Sequence, residues 1–371
     1  MSFLKIRRIS GLSSHCHCLL GYRSALFFSM KRRFYTKAFI VSLTFILLIT
    51  IMQSLFVVDE KRLSRKSRSK TCSPTSSPHA KSSWNLSSAL QADKEYDFSL
   101  SSKSTETFTV LINTFKRRSL LKRAVAHYSK CENVSNIRVV WSEQVKPPST
   151  LNQTEMHDYF ARHFGFVQYD THRTTSIQNR YARLVNLKTQ AVFHVDDDVR
   201  IPCHSLESGF QQWKKHKDAL VGFEVRAHEL VGDGCISFRY NHNRFDIWWK
   251  KRYSITLTKA AFSHAKYLLL YETNLPSDVR SYVDQRTNCE DIAMQMLVSS
   301  IVRGKSLTQL KSATVYVPTS TFYKITSKLE KRNIQGISSN VGHIETRSNC
   351  ISDLSIMFMG DSYQTPLYYA T

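Results

Sequence analysis

The chain has 371 residues, 42% hydrophobic and 12% aromatic, enough to bury one large domain or two small ones with appendages. A formal charge of +23 would suit nucleic acid or an acidic membrane, but residues 1–70 hold 14 Lys/Arg against 2 Asp/Glu, which is +12 of it. No RRM, zinc-finger or helix-turn-helix signature accompanies that charge, so it reads as a topology signal plus a dispersed basic surface, and a nucleic-acid partner is set aside.

Residues 1–37 read as a cytoplasmic tail: Lys5, Arg7, Arg8, Arg23, Lys31, Arg32, Arg33 and Lys37 stand there with no acidic residue between them. His15, Cys16, His17 and Cys18 resemble a metal tract, but in a short tail they read as incidental or as acylation sites. Ala38 to Val58 carries no charge, with Gln53 as its only strongly polar residue. At about 1.5 Å per residue it spans a hydrocarbon core of roughly 30 Å, so a single transmembrane anchor is expected. Arg62, Arg65, Lys66, Arg68 and Lys70 beyond it oppose that orientation. The sequons at Asn85, Asn133 and Asn152 all follow the span and favour a lumenal body. Cys72, Cys131, Cys203, Cys235, Cys289 and Cys350 also follow it, where disulfides are permitted, and their spacing fits no CxxC zinc pattern.

Residues 59–105, rich in Ser and Lys, read as a disordered stem. The body is expected over 106–371. Phe108–Ile112 is a buried strand by its β-branched apolar run; Ser119–Lys130 has helical spacing; Ile137–Trp141 is a second strand. Ser176–Leu187 reads as a helix, Ala191–Val195 as a strand, Leu206–His216 as a helix and Ala219–Phe223 as a strand. Strands alternating with helices predict an α/β domain with a mainly parallel sheet, whose ligands bind beyond the C-terminal strand ends.

Asp196-Asp197-Asp198 closes one of those strands. Three adjacent carboxylates repel, and a hard divalent cation removes that penalty. A solvated acidic turn is the plain alternative, but the end of a buried strand favours Mn²⁺ or Mg²⁺ holding a diphosphate. His194 reads as a core histidine, because strand alternation points it away from Asp197. Trp248-Trp249 suits either stacking on a sugar ring or packing.

Several segments now carry a resemblance. Thr109-Val-Leu-Ile-Asn-Thr-Phe-Lys-Arg117, Ile177-Gln-Asn-Arg180, Val192-Phe-His-Val-Asp-Asp-Asp-Val199, Leu220 to His228, Tyr253-Ser-Ile-Thr-Leu-Thr258 and Asn288-Cys-Glu-Asp-Ile-Ala-Met294 occur in the order seen in the C-terminal transferase domain of the exostosin family, glycosyltransferase family 64. The resemblance covers about residues 107–355. It implies a GT-A (Rossmann-like) nucleotide-sugar transferase behind a signal anchor in the Golgi membrane, single-pass type II. It also implies a retaining, Mn²⁺- or Mg²⁺-dependent reaction with a donor of UDP-N-acetylhexosamine or GDP-mannose type.

Carried over residue by residue, Arg117 contacts the diphosphate, Asn179 and Arg180 face the nucleotide, and Asp198 is the metal ligand. Asp196 faces sugar or ribose with Asp197 beside it, and Arg226 lies near the donor sugar. Asn288, Glu290 and Asp291 form the catalytic pocket, with Asp291 nearest the reacting carbon and Glu290 its partner; His343 and Arg347 close over the diphosphate. Cys289 and Cys350 match a family disulfide. Ser142 departs from a family Asn, and residues 232–243, with Cys235, form a divergent loop. The acceptor is expected to be a glycolipid or glycan. The wording of the Asn288 and Tyr253 segments lies closer to members that glycosylate inositol phosphorylceramide than to those that extend proteoglycan linkers. A non-catalytic lumenal sugar-binding protein of the same fold is the alternative.

Overall fold

A computed structural model of the chain divides into two units, Met1–Ser76 and Ser77–Thr371. It describes residues 84–145, 147, 167–231, 238–305, 312–319, 323–324, 342–360 and 364–370. The expected tail, the span Ala38–Val58, Cys72, the Asn152 sequon and Cys235 lie outside the described residues. Among the described residues no helix is long and apolar enough to cross a membrane.

Helix α1 (Leu86–Leu100) lies within the segment expected to be disordered stem, which therefore ends earlier than 105. Hydropathy misses α1 because one of the two residues it buries completely is charged. Asp93, fully buried, meets Lys266 Nζ at 3.1 Å and Lys305 Nζ at 2.5 Å. Asn85, read as a sequon, caps the helix by accepting the Ser88 N–H at 3.0 Å.

The chain continues through β1 (Ser104–Thr114), α2 (Arg118–Tyr128), β2 (Val134–Trp141), β3 (Val167–Thr171), β4 (Thr189–Asp196), β5 (Val199–Arg200) and α3 (Cys203–Lys215). It then forms β6 (Leu220–Gly222), β7 (Val225–Leu230), β8 (Phe238–Asn241), α4 (Arg244–Lys250), β9 (Ile255–Thr256) and β10 (Ala260–His264). Helices α5 (Lys266–Thr273), α6 (Ser277–Arg286) and α7 (Glu290–Lys305), strands β11 (Thr314–Tyr316) and β12 (Tyr323–Lys324), and helix α8 (His343–Met359) complete it.

Each apolar run expected to be a strand is one. The helix expected over 176–187 is not: only a 3₁₀ turn, Ile177–Tyr181, forms, and Ala182 turns extended. Tertiary hydrogen bonds hold that turn instead. Arg180 Nη2 donates to the Thr258 carbonyl at 3.1 Å, and the Tyr181 and Thr258 hydroxyls are 2.5 Å apart.

The main sheet runs β11-β6-β10-β4-β1-β2-β3. Strands β4, β1, β2 and β3 are mutually parallel, as are β6 and β11, while β10 runs antiparallel between β4 and β6. Strand alternation feeds two cores. Val110, Ile112, Phe193 and Val195 pack beneath α2 and α3 with Phe210, Trp213 and Phe262. Leu111 and Val192 face the other way, into the core built with α5 to α8. Gly209 on α3 lets that helix close down: a Cβ there would stand 2.6 Å from the Phe223 ring. A disulfide between Cys131 and Cys203 ties the end of α2 to the start of α3. His194 is the core residue expected, with Nε2 2.8 Å from Ser263 Oγ on β10 and its basicity lowered to about 3 by burial and then by Arg180.

Candidate active site

Strand β4 ends between β1 and β10, and both neighbours hold the acidic turn. The Asp196 N–H donates to the Lys259 carbonyl and the Asp197 N–H to the Asn113 carbonyl, each at 3.1 Å. Arg200 fastens the turn from below, donating to the carbonyls of Asp197 (2.7 Å) and Leu120 (2.9 Å).

The three carboxylates do not share one environment. Asp197 points inward and is fully buried, accepting from Thr114 Oγ1 at 2.6 Å and pairing with Arg117 at 2.6 Å. Burial pushes it up to about 7 against the pull of Arg117 and Thr114. It braces the turn, and no path leads from its oxygens to solvent. Asp196 and Asp198 keep side-chain exposures of 24% and 12%, so these two can present oxygens to a ligand. Arg117 also reaches Asp198, at 3.5 Å.

A second group forms where α6 gives way to α7. Thr287 and Cys289 both take left-handed backbone (φ 49° and 74°), a costly conformation for residues with a Cβ. The Cys289–Cys350 disulfide, expected from the resemblance, and a hydrogen bond from the Cys289 N–H to Asn288 Oδ1 (2.8 Å) hold it there. On α8, Arg347 Nη2 donates to both Asp291 oxygens at 2.8 Å and Nη1 to Asn288 Oδ1 at 3.2 Å, and the guanidinium lies over the Tyr240 ring at 4.5 Å. His343 Nδ1 is 3.2 Å from Asn288 Nδ2, and burial followed by Arg347 lowers its basicity. Burial, then the charge of Asp291, pushes Glu290 up to about 7 despite Arg180.

Arg180 joins the two groups. It is 5% exposed, with one amine 2.8 Å from Asp196 and the other 3.4 Å from Glu290. Of the twelve residues singled out by sequence, ten therefore fall into three contact groups that meet through the chain neighbours Asp196-Asp197 and Glu290-Asp291: Arg117, Asp197 and Asp198; Arg180, Asp196 and Glu290; Asn288, Asp291, His343 and Arg347.

The other two stand slightly apart. Asn179 adjoins Arg180 in sequence, but its amide donates to Ser142 Oγ (2.9 Å) and the Thr174 carbonyl (2.8 Å), so the divergent Ser142 still belongs to this rim. Arg226 pairs with Glu224, a buried carboxylate that also binds Arg244 (2.8 Å) and Lys259 (2.6 Å). Burial alone would raise Glu224, but Arg226, Lys259 and Arg244 bring it down to about 2. Sequence reading missed Glu224, Thr114, Thr258 and Tyr240. Thr114, Glu224 and Thr258 carried a signal, since each lies within a segment of the resemblance; Tyr240 carried none.

Comparison with known proteins follows the same lines. A family model described as glycosyl transferase family 64 domain matches residues 108–369. Glycosylinositol phosphorylceramide mannosyl transferase 1 of Arabidopsis thaliana is 33% identical over 277 residues, 73% of this chain and 76% of that protein. Exostosin-2 of Homo sapiens is 29% identical over 68% of this chain and 32% of its own length. Glucosamine inositolphosphorylceramide transferase 1 of Arabidopsis thaliana is 28% identical over 68% and 30%. The chain thus spans about a third of these two longer relatives. Among solved structures, S. aureus TarS 1-349 in complex with UDP-GlcNAc overlays at a TM-score of 0.42 with 13% identity, covering 69% of this chain and 68% of that one.

Proposed function

Because the chain belongs to glycosyl transferase family 64 and is a glycosyltransferase, we propose that its site moves a sugar, with retention, from a nucleotide-sugar donor of GDP-mannose or UDP-N-acetylhexosamine type to a membrane glycolipid of the glycosyl inositol phosphorylceramide class. The mixed sheet with its acidic turn beyond β4 is read as a GT-A fold. The observation that carries the reading is Arg180, which binds Asp196 of the acidic turn and Glu290 of α7 together beyond the C-terminal end of β4. The acceptor class is supported by the Arabidopsis mannosyl transferase, which this chain matches over most of both lengths.

The donor atoms suit a hard cation. Asp196 and Asp198 offer carboxylate oxygens at the rim, while Asp197 and Arg200 hold the turn that carries them. Asp198, with Asp196 beside it, would hold Mn²⁺ or Mg²⁺, which when bound supplies charge neutralisation for a departing diphosphate.

The chain's own residues do the rest. Arg117 offers its guanidinium to phosphate oxygens, and His343 with Arg347, already seated on Asp291, closes that side. Asn179 and Ser142 line the nucleoside rim. Arg226, held on Glu224, lies toward the sugar. Asp291 and Glu290 face the reacting carbon: the first is oriented by Arg347, and the second is set by burial to exchange a proton near neutral pH. The charge-free span, the basic residues before it and the sequons after it support a type II Golgi protein with this unit in the lumen.

The test is a donor screen of UDP- and GDP-sugars on the purified full chain, with Mn²⁺ or with chelator. Transfer is expected with one nucleotide class, lost on chelation, and lowered by about 10² or more in Asp198→Ala with the fold intact. Unchanged turnover of that variant at saturating Mn²⁺ would overturn the assignment.

A further inference from the structure

Helix α4 carries two large aromatic side chains at the surface. Phe245 and Trp249, four residues apart, stack with ring centroids 6.1 Å apart and planes 17° apart, yet they are 68% and 71% exposed. Large apolar rings left together at a surface mark an interaction site. The chain leaves α4 through Lys250, Lys251 and Arg252, all exposed, and Lys251 takes the left-handed conformation (φ 49°) that ends the helix. Arg252 lies over the Tyr369 ring at 4.1 Å. At the other end Arg244 reaches Glu224 at 2.8 Å. Glu224 in turn binds Lys259, whose carbonyl accepts the Asp196 N–H. Helix α4 is thus linked to the acidic turn through Glu224 and Lys259.

We propose that this face of α4 seats the catalytic unit on an anionic lipid bilayer, where a lipid acceptor is held. The rings enter the headgroup zone, where aromatic side chains are favoured, and Lys250, Lys251 and Arg252 face lipid phosphates. Charge selects this occupant. A second copy of the chain would set two basic rims against each other, and a neutral glycan would use the rings but not the basic run. The value of the contact to the enzyme rests on the glycolipid reading above; the contact itself does not.

The experiment uses the full chain in nanodiscs of phosphatidylcholine alone or mixed with phosphatidylinositol. Hydrogen exchange of residues 244–252 should slow by about tenfold in the anionic discs and recover at high salt. Equal exchange in both discs overturns the proposal. Protection that follows protein concentration in neutral micelles assigns the face to a second copy, and protection by a soluble headgroup glycan assigns it to sugar stacking; either overturns it. In a second arm, Phe245→Ser with Trp249→Ser should lower transfer to a bilayer-embedded glycolipid by about tenfold and leave acceptor-independent donor hydrolysis unchanged. Transfer that stays at the parent level overturns the proposal. If no lipid acceptor is used by the parent chain, the glycolipid reading fails, and the exchange measurement still decides the contact.

Discussion

Arg180 is the residue on which the site depends most. Its two amines serve carboxylates from opposite sides of the pocket, a task that needs the width of a guanidinium. Arg180→Lys can reach one carboxylate but not both. Turnover should fall by about 10² with a much smaller change in KM, because the loss is one of positioning; unchanged turnover would remove Arg180 from the machinery. Glu290 gives a second expectation. Its pKa is 4.5 in an unfolded chain and about 7 in the folded one. A carboxyl raised on folding contributes its stability in full below 4.5 and loses it as pH rises through about 7. His194 and His264, lowered to about 3, and His228, lowered to about 4, have the opposite slope over the same range, so the expectation is set on the difference between the parent and Glu290→Gln: that part of the parent's stability should shrink by roughly 1–3 kcal/mol between about pH 5 and about pH 8. A difference in unfolding free energy that does not change with pH would mean that Glu290 titrates alike in the folded and unfolded chain. Motif order in the sequence named the members of the pocket, but not their orientation. Nothing in Asp196-Asp197-Asp198 tells which carboxylate turns inward, since that is fixed by Thr114 and Arg117 from another strand.

At the scale of elements, legibility followed hydropathy. Strands β1, β2 and β4 are apolar runs buried on both faces, and α2 buries Leu120, Leu121, Ala124, Val125 and Tyr128 at helical spacing. Helix α1 was illegible because charge shares its docking with a few apolar residues, Ala89, Leu90 and Leu100. Lys266, 1% exposed, gathers Asp93, Asp97 (2.9 Å) and Asp218 (2.7 Å), and Lys305 binds Asp93 and Asp218. A polar pattern of this kind is indistinguishable from a solvated stem until its partners, more than a hundred residues on, are in place. Asp93→Ala would leave buried lysine charge under-compensated, so stability should drop by about 3–5 kcal/mol by thermal or denaturant unfolding. A drop below about 1 kcal/mol would mean that α1 is only loosely attached. The Cys289–Cys350 bridge acts on a different quantity. Cys289→Ser should cost up to about 4 kcal/mol by chain entropy. It should also lower turnover, because the left-handed turn bearing Asn288 and Glu290 loses its tether; retained turnover would make the bridge purely structural.

For the whole molecule, charge alone was a poor guide and its distribution a good one. The +23 balance suggested nucleic acid until half of it was placed beside one apolar segment. What sequence left open was how the two halves of the domain meet, because β10 inserts antiparallel between β4 and β6 and returns the chain to the acidic turn from the far side of residues 225–256. That layout bears on how the protein is made. Synthesis delivers the chain from its N-terminus, so Cys131 can meet Cys203 as soon as α3 is out, and β1, β2 and β4 can pair at the same stage. Asp196 must wait for β10, and Asp291 waits for Arg347, 56 residues further on. A nascent chain stopped after residue 340 should therefore show a linked Cys131 and Cys203, an unpaired Cys289 and no transfer, as non-reducing peptide mapping with an activity assay would report. The sheet matures before the pocket does. Interrupted translation then yields a protein that has a framework but not the means to spend donor sugar, and catalytic competence becomes a property of nearly finished chains.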